Sequence, residues 1–201
     1  MKKPISRVVA LAVCVIVMSV TFLVEAQRQP PNRRFVDNLD GTITDTRTGL
    51  IWEKKTGSVG PGTVCSDLGT CPDPSDVNNR YVWSATGSAA DGPLFTDFLA
   101  KMNCTISTNG DCVSPYTDWQ VPTIAELRTI VTPNCLVPPC IDPIFGPTQR
   151  DHWSSTTSAN PSADPPVENN AWDVDFFNGT EGEDWKSQAL GNHVRAVRRG
   201  R

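Results

Sequence analysis

The chain has 201 residues, 38% of them hydrophobic and 20% charged, with a formal net charge of −4 at neutral pH. That length holds one domain with a real core, and is too short for two comfortable ones. The acidic balance argues against nucleic acid as a partner, because phosphate binding needs a basic face.

Residues 1–26 read as a secretory signal. Lys2, Lys3 and Arg7 precede a nearly uncharged apolar run over 8–24, and Val24-Glu25-Ala26 places small residues where a signal peptidase inspects the chain. The competing reading is a retained anchor, since the run approaches the roughly 20 residues that span a bilayer. No second apolar segment of that length follows, so no stable membrane span is expected after cleavage. The expected location is the periplasm, the cell surface or the medium. Removing Lys2, Lys3, Arg7 and Glu25 leaves 15 basic and 21 acidic residues, about −6.

Residues 27–34 are polar and proline-containing, a flexible lead-in to a domain over 35–201. Asp40-Gly41 marks a hairpin turn between two short β-prone runs, and Leu50-Ile51-Trp52 follows as a third strand. Asp37, Asp40 and Asp45 lack the spacing of a calcium loop and fit turn chemistry instead. Residues 54–92 are rich in turn formers, with Tyr81-Val82-Trp83 as a short strand. Leu94, Phe95, Phe98, Leu99 and Met102 predict a helix over 93–103 with Asp91 near its start. Thr123 and Glu126 form a capping box for a second helix, which Pro133 ends. Of three closing pieces, residues 152–156, 171–179 and 193–199, two alternate apolar and polar side chains, as half-buried strands do. Basic residues gather at the ends, Arg28, Arg33 and Arg34 at one and Arg195, Arg198, Arg199 and Arg201 at the other; these read as solvated tails.

Cys14 leaves with the signal, and six cysteines remain. An even count in an exported chain indicates disulfides, with 15 possible connectivities. Their spacing suggests Cys65–Cys71, Cys104–Cys112 and Cys135–Cys140. Each small loop would gain roughly 2–2.5 kcal/mol in the chain-entropy model. A zinc site fits poorly, because no pair is a CxxC and His152 and His193 lie far off.

Three segments together resemble one family. Residues 37–45 with Thr48-Gly49-Leu50-Ile51-Trp52 look like its opening hairpin; Asp118-Trp119-Gln120-Val121-Pro122-Thr123 looks like the entry to its second helix; Trp153-Ser154-Ser155-Thr156, residues 172–176 and residues 194–198 look like its closing strands. The family is the Lcl C-terminal domain, named after the module that ends a bacterial collagen-like adhesin. The resemblance covers about 35–199. It implies an α+β, C-type-lectin-like fold, similar to the formylglycine-generating sulfatase-modifying enzymes, with two helices packed on short, mostly antiparallel strands and long disulfide-pinned loops. The chain departs from the pattern at Leu39, where Gly is expected, at Gln120-Val121 in place of Arg-Leu, and at Ala196 in place of Cys. It has no collagen-like stalk, so an adhesin role does not follow from the domain alone.

The motifs of an enzyme are lacking. The oxidase relatives depend on a reactive cysteine pair near the C-terminus, and nothing after Cys140 is a cysteine. Ser154 and Ser155 lack a nucleophile elbow, and neither histidine belongs to an HExxH motif. Paired carboxylates for glycoside hydrolysis remain among Glu168, Asp173, Asp175, Glu181, Glu183 and Asp184, although such residues are usually just solvated. No catalytic residue, metal ligand or cofactor is assigned. The calcium-dependent lectin triplets Glu-Pro-Asn and Gln-Pro-Asp do not occur, though Asn169, Asn170 and Asp173 offer oxygens.

The expectation is a non-enzymatic binding or adhesion module for a glycan or another surface ligand. The alternative is a structural component that meets protein, and an enzyme related to the oxidases comes third. The expected site is Trp185 with Glu183, Asp184 and Lys186, supported by Asn169, Asn170 and Asn192, because an aromatic ring stacks on a pyranose while polar groups take its hydroxyls. Trp119 and Trp172 are expected in the core. The segment over 180–192 reads as a long loop in which Lys186 is the lone cation against Glu181, Glu183 and Asp184, so a neutral glycan or a protein is expected there, with little salt dependence.

Overall fold

A computed structural model describes residues 33–59, 71–106, 115–160 and 167–200. The described residues form a mixed α+β fold with two antiparallel sheets. One sheet has the order β1-β2-β3-β7, from Phe35–Asp37, Thr42–Asp45, Leu50–Glu53 and Val197–Arg199. The other has the order β4-β5-β6, from Asp151–Asn160, Val167–Asp175 and Thr180–Trp185. None of the described helices is long and apolar enough to cross a membrane.

The opening hairpin forms as the turn chemistry predicts. Phe35 faces Asp45 in its register. Asp37 accepts from the Leu39 amide, Asp40 from the Thr42 amide, and Asp45 from the Arg47 amide, so each carboxylate closes a local turn. Leu39 has φ of 63°, the left-handed region. This is why Gly is the residue to expect there; Leu39 bears the strain with its side chain in solvent. Arg34 belongs to the fold rather than to a flexible lead-in. It donates to Asp45 at 2.9 and 2.6 Å and to the Thr129 carbonyl at 2.6 Å.

The second predicted helix is α2, Ile124–Thr129, with the full capping box: the Thr123 hydroxyl accepts from the Glu126 amide, and Glu126 accepts from the Thr123 amide. The first is a π-helical stretch, Leu94–Leu99, that runs into a single α-turn, α1, Ala100–Met102. Asp91 does not cap it; it accepts instead from Ser84, Ala85 and Thr86. Tyr81 to Trp83 is not a strand either, and contributes one isolated bridge, Tyr81 to Asn192.

Cys135–Cys140 is bridged as predicted. Cys71 and Cys104 are also disulfide-bonded; their predicted partners, Cys65 and Cys112, lie outside the described residues.

Strand alternation divides the β4–β5–β6 sheet between two cores. Trp153 and Ala171 join Tyr81, Trp83, Phe98 and Trp119. Val174 and Phe176 join Ile43, Trp52, Leu127, Phe145 and Val197. Strand β5 is thus buried on both faces at its inner end, where Val174 opposes His152. Burial of side chains of this size contributes about 1.5–3 kcal/mol each.

The closing basic residues are not tails. Arg195 is fully buried and donates to the carbonyls of Glu53 and Phe145. Burial lowers its pKa to about 10. Arg198 is nearly buried and forms a two-pronged pair with Asp118. Only three residues of this stretch, Val197–Arg199, form a strand. Glu53 completes the polar core: it accepts from the Lys55 ammonium at 2.6 Å and from the Ala196 amide at 2.7 Å. These charged groups satisfy backbone carbonyls and amides that β7, being so short, leaves without ladder partners.

Candidate ligand-binding site

The first half of the predicted loop over 180–192 is a strand. β6 occupies Thr180–Trp185 and forms the edge of its sheet, and a turn follows. Because side chains alternate along a strand, the register sorts the expected site residues onto two faces. Asn170 opposes Trp185 and Trp172 opposes Glu183, on one face. Asp173 opposes Gly182 and Ala171 opposes Asp184, on the other.

On the first face Trp185 is 55% exposed. Trp172 is only part-buried, which corrects its expected place in the core. It shares its face with Val174 and Phe176, but lies one pair further out along β5 than the part covered by α2 and Leu127. Glu183 is exposed between the two indoles. Asn170 sits under Trp185 in the register, its side-chain oxygen shielded from solvent and without a hydrogen-bond partner. Glu181, next along, pairs with Arg128 from α2 at 2.8 Å.

The remaining site residues are elsewhere. Lys186 is 1% exposed and cannot meet a ligand. Its ammonium donates to the carbonyls of Ser88 and Glu168 and to the Thr157 hydroxyl, and lies 4.2 Å from the centre of the Trp83 ring. Burial lowers its pKa, against an opposing pull from Glu168. Asp184 accepts from Asn192 and Gln188, which ties the following turn to β6. Asn169 alternates away from Asn170, and its side-chain oxygen is likewise buried without a partner.

The second face holds the most perturbed carboxylate among the described residues. Asp173 is 3% exposed. Burial, with Asp184 and Asp151 nearby, raises its pKa to about 7. A side chain at position 182 would press on it: a Cβ built there lies 3.0 Å from the Asp173 carboxylate. Among the described residues, no group of three or more His, Cys, Asp or Glu side chains is placed to hold a metal ion.

The histidines are structural neighbours. His152 and His193 stand with ring centroids 5.7 Å apart. Their Nδ1 atoms bond to the carbonyls of Arg150 and Asn79. Burial holds His193 down at about 4 and His152 well below its usual range. The Ser154 hydroxyl donates to the Trp172 carbonyl.

A second surface was not expected from the sequence. The disulfide loop projects Leu136 and Val137, 93% and 77% exposed, beside a groove lined by Phe35, Ile130 and Pro133. The signal that marks it is an apolar pair inside a six-residue cysteine loop, which cannot fold back to bury both side chains.

A family model described as the Lcl C-terminal domain matches residues 41–198. No curated protein and no solved structure matches the chain. Since that model spans most of the sequence, from the opening hairpin to β7, the chain belongs to the Lcl C-terminal domain family.

Proposed function

We propose that this protein is an exported, non-enzymatic binding or adhesion module that recognises a glycan or another cell-surface ligand on the outer part of the β5–β6 face. The reading includes removal of residues 1–26 as a secretory signal and a C-type-lectin-like scaffold, similar to that of the sulfatase-modifying enzymes. One observation carries it: Trp185 is more than half exposed on a hydrogen-bonded strand and shares its face with part-open Trp172. An exposed indole costs solvation in the free protein and provides a flat apolar plate for a sugar ring. Aromatic residues held this way form the anchors of binding sites.

A glycan array probed with the wild-type protein and with Trp185→Ala tests the reading. The wild type should give a defined set of signals. Trp185→Ala should weaken them by about 1–3 kcal/mol and leave the melting temperature nearly unchanged. Unfolding of the variant, or an array on which both proteins behave alike, contradicts the assignment.

A second reading, a protein-interaction component of a surface assembly, is favoured by the exposed Leu136 and Val137. A stoichiometric partner lost with Leu136→Ser but kept with Trp185→Ala would support it.

A further inference from the structure

The face that carries Trp185 has an unbalanced charge. Glu183 stands directly opposite Trp172 and two residues before Trp185 on the same strand. Opposed side chains of an antiparallel pair have Cβ atoms about 5 Å apart, and diagonal neighbours lie about 7–8 Å apart. One exposed carboxylate is therefore flanked by two indoles that both reach solvent.

Two of the neighbouring acids are already engaged. Glu181 is bonded to Arg128. Glu168, whose backbone carbonyl accepts from Lys186, lies outside the register that pairs Asn170 with Trp185. Asp184 lies on the opposite face and accepts from Asn192 and Gln188. Among the described residues, Glu183 has no ion-pair partner. Lys186, the one cation expected to offset this charge, is sealed in the interior by three acceptors.

A cation over an indole is attracted by the ring quadrupole, and a carboxylate beside the ring adds a charge–charge term at the same point. A neutral hydroxyl gains only a hydrogen bond, and a sulfate or carboxylate on the ligand is repelled. We propose that the Trp172–Glu183–Trp185 face selects a glycan bearing a protonated amine: an amino sugar with a free ammonium group, in preference to its N-acetylated counterpart. This selectivity rests on the reading of the face as a glycan site, and narrows it. Trp185 stacks on the pyranose ring, and Glu183 holds the ammonium between the two indoles.

The test is isothermal titration of two oligosaccharides with the same backbone, tetraglucosamine and its fully N-acetylated form. It is run at about pH 6, below the pKa of a free amine. The wild type should bind tetraglucosamine at least about tenfold more tightly than the acetylated form, within the range of a cation–π contact reinforced by a carboxylate. Glu183→Gln should remove that preference without moving the melting temperature. Equal binding of the two sugars, or a preference for the acetylated one, overturns the charge selection and leaves the glycan reading standing. Binding of neither sugar, with neutral glycans bound on the array, has the same meaning. Binding of neither sugar and a blank array overturn both. Binding of a lysine-rich peptide in place of either sugar moves the cation site to a protein partner and overturns the amino-sugar assignment.

Discussion

Replacing Asp173 by Asn should stabilise the protein, and by an amount that depends on pH. Asp173 is almost fully buried against Gly182, with like charge from Asp184 and Asp151 adding to the effect of burial. Its pKa is raised from 3.8 to about 7, burial being the largest cause. The folded state therefore binds a proton more strongly than the unfolded chain. This group's contribution is most favourable below pH 3.8 and is lost as the pH rises through about 7. A tenfold difference in proton affinity between the two states is worth about 1.36 kcal/mol, so the ionised carboxylate costs roughly 4 kcal/mol at pH 8; at pH 5, where the folded carboxyl is protonated and the unfolded one ionised, taking up that proton costs roughly 2 kcal/mol. Local relaxation and water entry lower both figures, so they are ceilings. Asn keeps the shape and carries no charge. Urea denaturation of the wild type and Asp173→Asn at pH 8 and pH 5 should show the variant more stable at both, with the larger gain at pH 8. His193 slopes the other way: its pKa falls from 6.5 to about 4, so its contribution is present above pH 6.5 and lost as the pH falls toward 4. The variant should accordingly be the more acid-sensitive of the two proteins. A variant destabilised equally at both pH values would refute the argument, because the carboxyl would then be held by hydrogen bonds rather than penalised by its charge.

Two further predictions concern the core. Trp119 is 2% exposed and takes a hydrogen bond from Asn103 to its carbonyl, so Trp119→Ala should cost roughly 3–5 kcal/mol in a chemical denaturation curve. A shift under about 1 kcal/mol would show that the side chain is not packed. Lys55→Met removes the ammonium that Glu53 holds at 2.6 Å inside the molecule. It should destabilise by about 3–5 kcal/mol, because a buried carboxylate is left without its cation. The double variant Lys55→Met with Glu53→Gln should recover part of that loss in the same assay.

Local chemistry makes much of the fold legible. The Asp40-Gly41 turn, the Thr123–Glu126 box and the Cys135–Cys140 loop are each fixed by neighbours within six residues, and all three are present. The buried spacing of Leu94, Phe98 and Met102 is the same for a π-helix as for an α-helix, so it marks the element without its type. The long-range charges are illegible for a different reason. Arg195 and Lys186 are charged and near the chain end, which reads as surface. Their burial depends on acceptors such as the Phe145 carbonyl and the Ser88 carbonyl, which come from distant segments. At the site, polarity around Trp185 is a sound guide to exposure. Trp172 is misplaced by the same pattern because alternation gives the face of a strand, not how far along that face the core extends. Asp184 groups with Trp185, and Asn169 with Asn170, by nearness in sequence, and a strand separates such neighbours onto opposite faces.

The most direct measurement is an amide and indole spectrum of the labelled protein during titration with a glycan selected on the array. The chain has six tryptophans and so six indole N–H signals. Trp83 and Trp153 donate theirs to the carbonyls of Ser154 and Tyr81 inside the core. The signals of Trp185 and Trp172 should shift together with the backbone amides of β6, while those of Trp52, Trp83, Trp119 and Trp153 stay in place. Shifts confined to the disulfide loop around Leu136, with Trp185 unmoved, would contradict the site.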